Sequence, residues 1–225
     1  MAEPSGEPGS IVPRLVLLGV LWGATFPVSR LGVLAGANPF LLVTIAFGIA
    51  AAVTAPIAAL RRSPFPTGRS LAASAGVGAL LIGGINLPLF WGERYATGGV
   101  ASIVYATAPM VSLGFVMALG AGEHVGRRRG FALVLGVAGV AVLALASGGA
   151  VVTNPWGLVA FALGAVCQGV GAVTLRRLRP RGEGPWGETF QFVGGGAVSL
   201  AVLATVAPKA TIAWTAPVVA SVVYV

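Results

Sequence analysis

Apolar residues run through this chain in long blocks rather than in alternation with polar ones. Between Gly130 and Leu175 there are 46 residues without an Asp, Glu, Lys, Arg or His. A bilayer crossing needs about 20 apolar residues, so that stretch holds two crossings and a turn. Ser147-Gly148-Gly149 and Thr153-Asn154-Pro155 mark the turn. Read the same way, charge-poor runs at 14–34, 39–60, 71–92, 97–119, 130–147, 156–176 and 188–207 predict seven spans, and 216 onward predicts the start of an eighth. Each run is apolar on every face and too long for a barrel strand, and lipid leaves no backbone group free. All of them are therefore predicted as helices. The fold class is all-α, a polytopic transmembrane helix bundle.

Composition agrees: 56% of residues are hydrophobic and 9% charged, and mean hydropathy is +0.93. Charge then orients the bundle. With the N-terminus inside, eleven of the 14 basic residues lie in cytoplasmic segments: Arg14, Arg61, Arg62, Arg69, Arg127–Arg129, Arg176, Arg177, Arg179 and Arg181. Arg30, Arg94 and Lys209 lie opposite. That asymmetry predicts a multi-pass cell-membrane protein with a cytoplasmic N-terminus. It also turns the net charge of +8 into a topology signal and removes the case for a nucleic-acid partner. The tail at 1–13 has no basic residue before Arg14 and so lacks the positive n-region of a cleaved signal peptide, which predicts that the first apolar run stays as a helix. Ala216 to Val225 would rise only about 15 Å, half of a hydrocarbon core of about 30 Å, which predicts a chain continuing beyond Val225. On that expectation the 225-residue form is itself inactive.

Glycine is abundant, at 34 residues. Small residues four apart, as in Ser74/Gly78, Ala79/Gly83, Ser102/Ala106 and Ala165/Gly169, favour close helix approach in lipid. An internal repeat accompanies them. Leu18–Val33 set against Leu163–Leu178 matches Leu18/Leu163, Gly19/Gly164 and Val28/Val173, with Ser29/Thr174 similar, at an offset of 145. Five spans precede the second copy, and an odd number inverts it in the membrane.

Several motifs resemble the EamA-type members of the drug/metabolite transporter superfamily. They are Trp22-Gly23-Ala24-Thr25-Phe26 followed by Arg30; Arg94-Tyr95-Ala96-Thr97 leading to Ala108-Pro109; and Gly122-Glu123 before Gly130 and Gly136–Val140. The resemblance is close over 14–147 and looser over 156–225. It implies ten helices in two inverted five-helix repeats: a cytoplasmic tail at 1–13, a first repeat at 14–147, an extracytoplasmic connector at 148–155 and an incomplete second repeat at 156–225. Export of small metabolites, amino acids or drug-like compounds is the function it implies. Glu93 departs from the pattern, which has a small apolar residue there.

Enzymatic chemistry has little to work with. No His/Asp/Ser set, HExxH, P-loop or GxSxG occurs. His124 is the single histidine and Cys167 the single cysteine, so no multi-histidine metal centre and no internal disulfide can form. No cofactor or metal is expected, and Cys167 reads as a packed thiol. A transporter instead needs polar or aromatic groups inside apolar helices, and the candidates for a substrate cavity are Trp22, Thr25, Asn86, Tyr105 and Gln168, with Gln191 weaker. Each has a plainer reading as core packing or interhelical hydrogen bonding. Pro27 and Pro109 are hinge candidates or passive kinks. Glu93 is the one coupling candidate near a span, although its place beside Arg94 predicts a solvated charge. Glu123 matches the family's cytoplasmic loop and would cap the fifth helix or pair with Arg127–Arg129. The partners expected are a small-molecule substrate and the lipid bilayer, with a homodimer left open. A scaffold that moves no solute is the alternative function, and a membrane enzyme is a third.

Overall fold

A computed structural model describes residues 11–118, 154–178 and 184–224, with Phe131, Leu135, Ala138 and Val142 between them. The described residues form helices and no strand. They are α1 (Ile11–Leu34), α2 (Pro39–Leu60), α3 (Arg69–Gly78), a π-helical turn (Ala79–Gly83), α4 (Gly84–Gly92), α5 (Gly98–Tyr105), α6 (Ala108–Ala118), α7 (Pro155–Leu178), α8 (Pro185–Val206) and α9 (Ala216–Tyr224). Among the described residues, six stretches are long and apolar enough to cross a membrane: Val12–Leu34, Pro39–Leu60, Arg69–Gly92, Gly98–Val116, Pro155–Leu178 and Pro185–Val206. The predicted fifth span, with Glu123, His124 and Arg127–Arg129 ahead of it, lies outside the described residues apart from four helical positions. Those four are exposed and spaced along one face.

Local chemistry sets the helix ends. α1 stops where Gly36, at φ +88, turns the chain. There Ala37 N–H returns to Gly32 O at 3.2 Å and Gly36 N–H to Val33 O at 3.1 Å, so both orphan carbonyls are satisfied. The cap of α2 follows two residues later: Asn38 accepts from the amides of Phe40 and Leu41, and Pro39 occupies the first turn where its missing N–H costs nothing. Asn154 and Pro155 repeat the device at α7, with Trp156 N–H donating to the Asn154 side chain at 3.0 Å.

Two predicted spans are broken rather than continuous. The third contains the π-helical turn, and the fourth divides at Ala106–Thr107. Pro109 explains the second break, because its ring would clash with the Tyr105 carbonyl in an unbroken helix. Pro27, by contrast, lies inside an uninterrupted α1.

Burial is inverted relative to a water-soluble domain. Val12, Leu15, Val16, Leu17, Leu18 and Val20 of α1 are all more than half exposed. Arg61, Arg62, Arg69, Arg176 and Arg177 stand exposed at one end of the bundle, hereafter the Arg-rich end. Phe65 packs edge-on against Trp186 there, with centroids 5.0 Å apart, while Trp91 meets Tyr95 at 5.1 Å at the opposite end. Aromatic residues at both ends of apolar helices match the two interfaces of a bilayer. An apolar exterior with charge kept to the ends is what lipid selects, and the chain is a multi-pass membrane protein.

Inside, α2 packs on α8, α3 on α8, α4 and α6 on α7, and α1 on α9. Leu42, Val43, Phe47, Phe90, Phe161 and Val218 form the centre of the buried cluster. Glycine permits the closest crossings. A Cβ on Gly78 or Gly194 would run into the backbone of Gln191 or Ala75, and one on Gly83 would lie 3.2 Å from Gly195 O. Of the small-residue pairs read from the sequence, Ser74/Gly78 and Ala165/Gly169 are buried, and Gly83 is buried beside a half-buried Ala79. Ser102 and Ala106 are exposed and face a cavity instead of a neighbouring helix.

Candidate functional site

Irregular backbone and polar side chains meet at one place. Between α1, the π-turn with α4, α5 and α7 lies a cavity of about 360 Å³ whose lining includes Trp22, Thr25, Asn86, Tyr105 and Gln168. The structure thus brings all five sequence candidates together. Gln191 does not join them; its backbone is taken up by the α3–α8 crossing at Gly78.

Each wall has a local cause. Tyr105 ends α5 just before the helix break, and its hydroxyl donates to Ile85 O at 2.7 Å. Its ring stands edge-on to Phe26 at 5.8 Å, which lines the cavity with it, and to Phe161 at 6.5 Å, which backs it from the core. Asn86 Nδ2 donates to Ile82 O at 2.9 Å. Both accepting carbonyls lie within or just after the π-turn, a type of irregularity often found at functional sites. Gln168 presents a buried Oε1 with no hydrogen-bond partner among the described residues. Trp22 is 56% exposed, so its ring belongs to the rim and not to the packed core. Thr25 Oγ1 leans back on Leu21 O at 3.4 Å. The cavity therefore offers amide, hydroxyl and indole groups without a charged residue in its lining, a chemistry suited to orienting a small polar or amphipathic molecule.

Sequence reasoning did not find the π-turn, Phe26 or Ser102. Pro88 was the available signal for the first, since it removes a backbone donor one turn beyond the π segment. Phe26 and Ser102 were hidden because apolar and hydroxyl residues fill these spans everywhere.

Glu93 is the main correction. It is not a solvated charge: its side chain is fully buried one residue beyond the third span. The turn Glu93–Thr97 folds back onto α1, where Ala96 O accepts from Arg30 and Ser29 Oγ lies 2.6 Å from Glu93 Oε1. Burial pushes the carboxyl up to about 8, against the opposing pull of the Ser29 hydroxyl and the Arg30 charge. Arg94 beside it is exposed and points to a different environment. A connector of five residues leaves too little chain to hold all its side chains in water.

Residues 11–145 match the EamA-like transporter family. The chain belongs to that family. It is 28% identical over 160 residues to an uncharacterized inner membrane transporter, YedA, of Escherichia coli K12, covering 71% of this chain and 51% of the relative. It is 34% identical over 165 residues to a probable terminal-alkyne amino-acid exporter of Streptantibioticus cattleyicolor, covering 69% of this chain and 51% of that protein. The chain spans about half the length of the curated relatives it matches. No solved structure shows a significant match.

Proposed function

We propose that this EamA-family protein serves as a secondary transporter that exports small metabolites, amino acids or drug-like compounds by alternating access, with its N-terminus in the cytoplasm. The convergence of Trp22, Asn86, Tyr105 and Gln168 on one uncharged cavity carries the reading. Export is favoured by the name of the Streptantibioticus relative, and the orientation by the Arg-rich end.

Inverted repeats supply the motion. Phe47 and Phe192 are separated by the same 145 residues as Leu18 and Leu163, and their ring centroids lie 6.3 Å apart. Repeat-related residues touch only near a symmetry axis, so this pair supports a pseudo-two-fold running between α2 and α8. Contacts follow the same exchange: α1 meets α9 as α7 meets α3, and α2 meets α9 as α8 meets α3. Rocking one repeat against the other about that axis would open the cavity to each side in turn.

In proteoliposomes that carry the complete protein and are loaded with mixed amino acids and small metabolites, protein-dependent loss of at least one solute is expected. Trp22→Ala should slow that loss about tenfold, the effect of one aromatic contact worth ~1.4 kcal/mol. Release no faster than from protein-free liposomes contradicts the proposal.

A further inference from the structure

The buried Glu93 has an unusual hydrogen-bond geometry. Ser29 Oγ lies 2.6 Å from Glu93 Oε1 and 3.1 Å from Phe26 O. A serine hydroxyl carries one proton, so it can donate to only one of these two acceptors. If the carboxyl is ionised, the second contact lacks a hydrogen. If Oε1 carries a proton, Glu93 donates to Ser29 Oγ and Ser29 donates to Phe26 O, and both contacts become hydrogen bonds. Glu93 Oε2 is buried without a partner among the described residues. An unpartnered carbonyl oxygen costs far less than an unpartnered carboxylate oxygen.

The surroundings agree. From α1 the facing charge is Arg30, whose guanidinium is committed to Ala96 O. From α5 comes the phenol of Tyr105, whose hydroxyl is committed to Ile85 O. Arg94 and Tyr95 belong to Glu93's own connector, and α7 meets this turn with Gly157 and Phe161. Phe26 connects this site to the cavity: its side chain is part of the lining, and a Cβ on Gly98 would lie 2.8 Å from Phe26 O.

We propose that Glu93 is a proton-binding site that latches the end of the bundle opposite the Arg-rich one. The neutral carboxyl joins α1 to the α4–α5 connector through Ser29, and separation of the two releases the proton to water at the opened end. The O–H bond of the carboxyl breaks, water takes the proton, and the solvated carboxylate remains. Closing reverses each step. The inference rests on the alternating-access reading for its consequence, but not for its test. Because the closed form binds the proton more tightly, low pH favours closure and rising pH favours opening. Between the ordinary carboxyl range and the raised value, one proton leaves per opening, so the open-to-closed ratio rises up to about tenfold per pH unit.

Two measurements on the full chain in lipid vesicles test this. Infrared difference spectra between the protein and Glu93→Gln at about pH 6.5, above the ordinary carboxyl range, should isolate a protonated-carboxyl stretch. Separately, Ala96→Cys in a Cys167→Ser background reports opening through labelling by a membrane-impermeant maleimide. The labelling rate, divided by that of the same reporter carrying Glu93→Gln, should climb with pH. Absence of the protonated-carboxyl band, or a ratio that stays flat with pH, overturns the proposal. Neither readout needs a substrate, so failed transport with a titrating Glu93 would overturn only the transport reading.

Discussion

Gly194→Ala is expected to lower the thermal midpoint of the detergent-solubilised protein, while Gly48→Ala leaves it unchanged or raises it. A methyl at Gly194 has no room, since it meets the Ala75 backbone where α3 crosses α8. Backbone cannot yield as a flexible side chain would, so the two helices must separate. Overpacking of this kind costs about 1–3 kcal/mol, and chains of this length lose roughly 2–4 °C per kcal/mol. A methyl at Gly48 would have nothing within 4 Å, so alanine there only improves helix propensity, by up to about 1 kcal/mol. Thermal melts monitored by circular dichroism separate the two. Equal shifts for both variants would mean that the helices do not cross this closely.

Tyr105→Ala is expected to abolish measurable solute release, whereas Tyr105→Phe retains most of it. The tyrosine ring supports Phe26 and Phe161, and its hydroxyl holds α5 to the irregular backbone at Ile85. Removing the whole side chain deletes a cavity wall and leaves two aromatics without an edge partner. A truncation of that size in a packed setting costs about 3–5 kcal/mol, which corresponds to more than a hundredfold in a binding or rate constant. Phenylalanine keeps the ring and forfeits one hydrogen bond, worth about 1 kcal/mol. Gly164→Ala should imitate the severe variant, because its methyl would collide with the Tyr105 hydroxyl. Release rates from loaded proteoliposomes provide the comparison. Wild-type release by Tyr105→Ala would remove the cavity from the mechanism.

Much of the architecture was legible because lipid imposes a coarse rule that sequence obeys openly. The boundaries at Leu34, Pro39, Leu60 and Gly92 follow from where apolar runs meet glycine, proline or arginine. The cavity lining was legible for a related reason. A polar side chain inside an apolar span must satisfy its hydrogen bonds somewhere, and Asn86 and Tyr105 both do so on carbonyls of the irregular stretch, at Ile82 and Ile85. That stretch itself was not legible. Residues 79–83, Ala-Leu-Leu-Ile-Gly, carry ordinary helix formers, and Pro88 beyond them hints at a loosened backbone without placing a π-turn. Tertiary contact does: Gly83 sits against Gly195, and Leu81 against Gly171. Glu93 failed for the complementary reason. Its burial depends on where a short connector folds, and hydropathy along the chain contains no information about that.

Solvent access inside the bundle tests the central claim most directly, and it can be measured in intact vesicles with a charged maleimide. In a Cys167→Ser background, Thr25→Cys lies on the cavity wall of α1 and Val53→Cys on the outward face of α2. A water-filled cavity in a lipid-embedded bundle predicts that Thr25→Cys is labelled and that Val53→Cys, facing hydrocarbon, is not. Rapid labelling at Val53→Cys with none at Thr25→Cys would contradict both the membrane setting and the cavity.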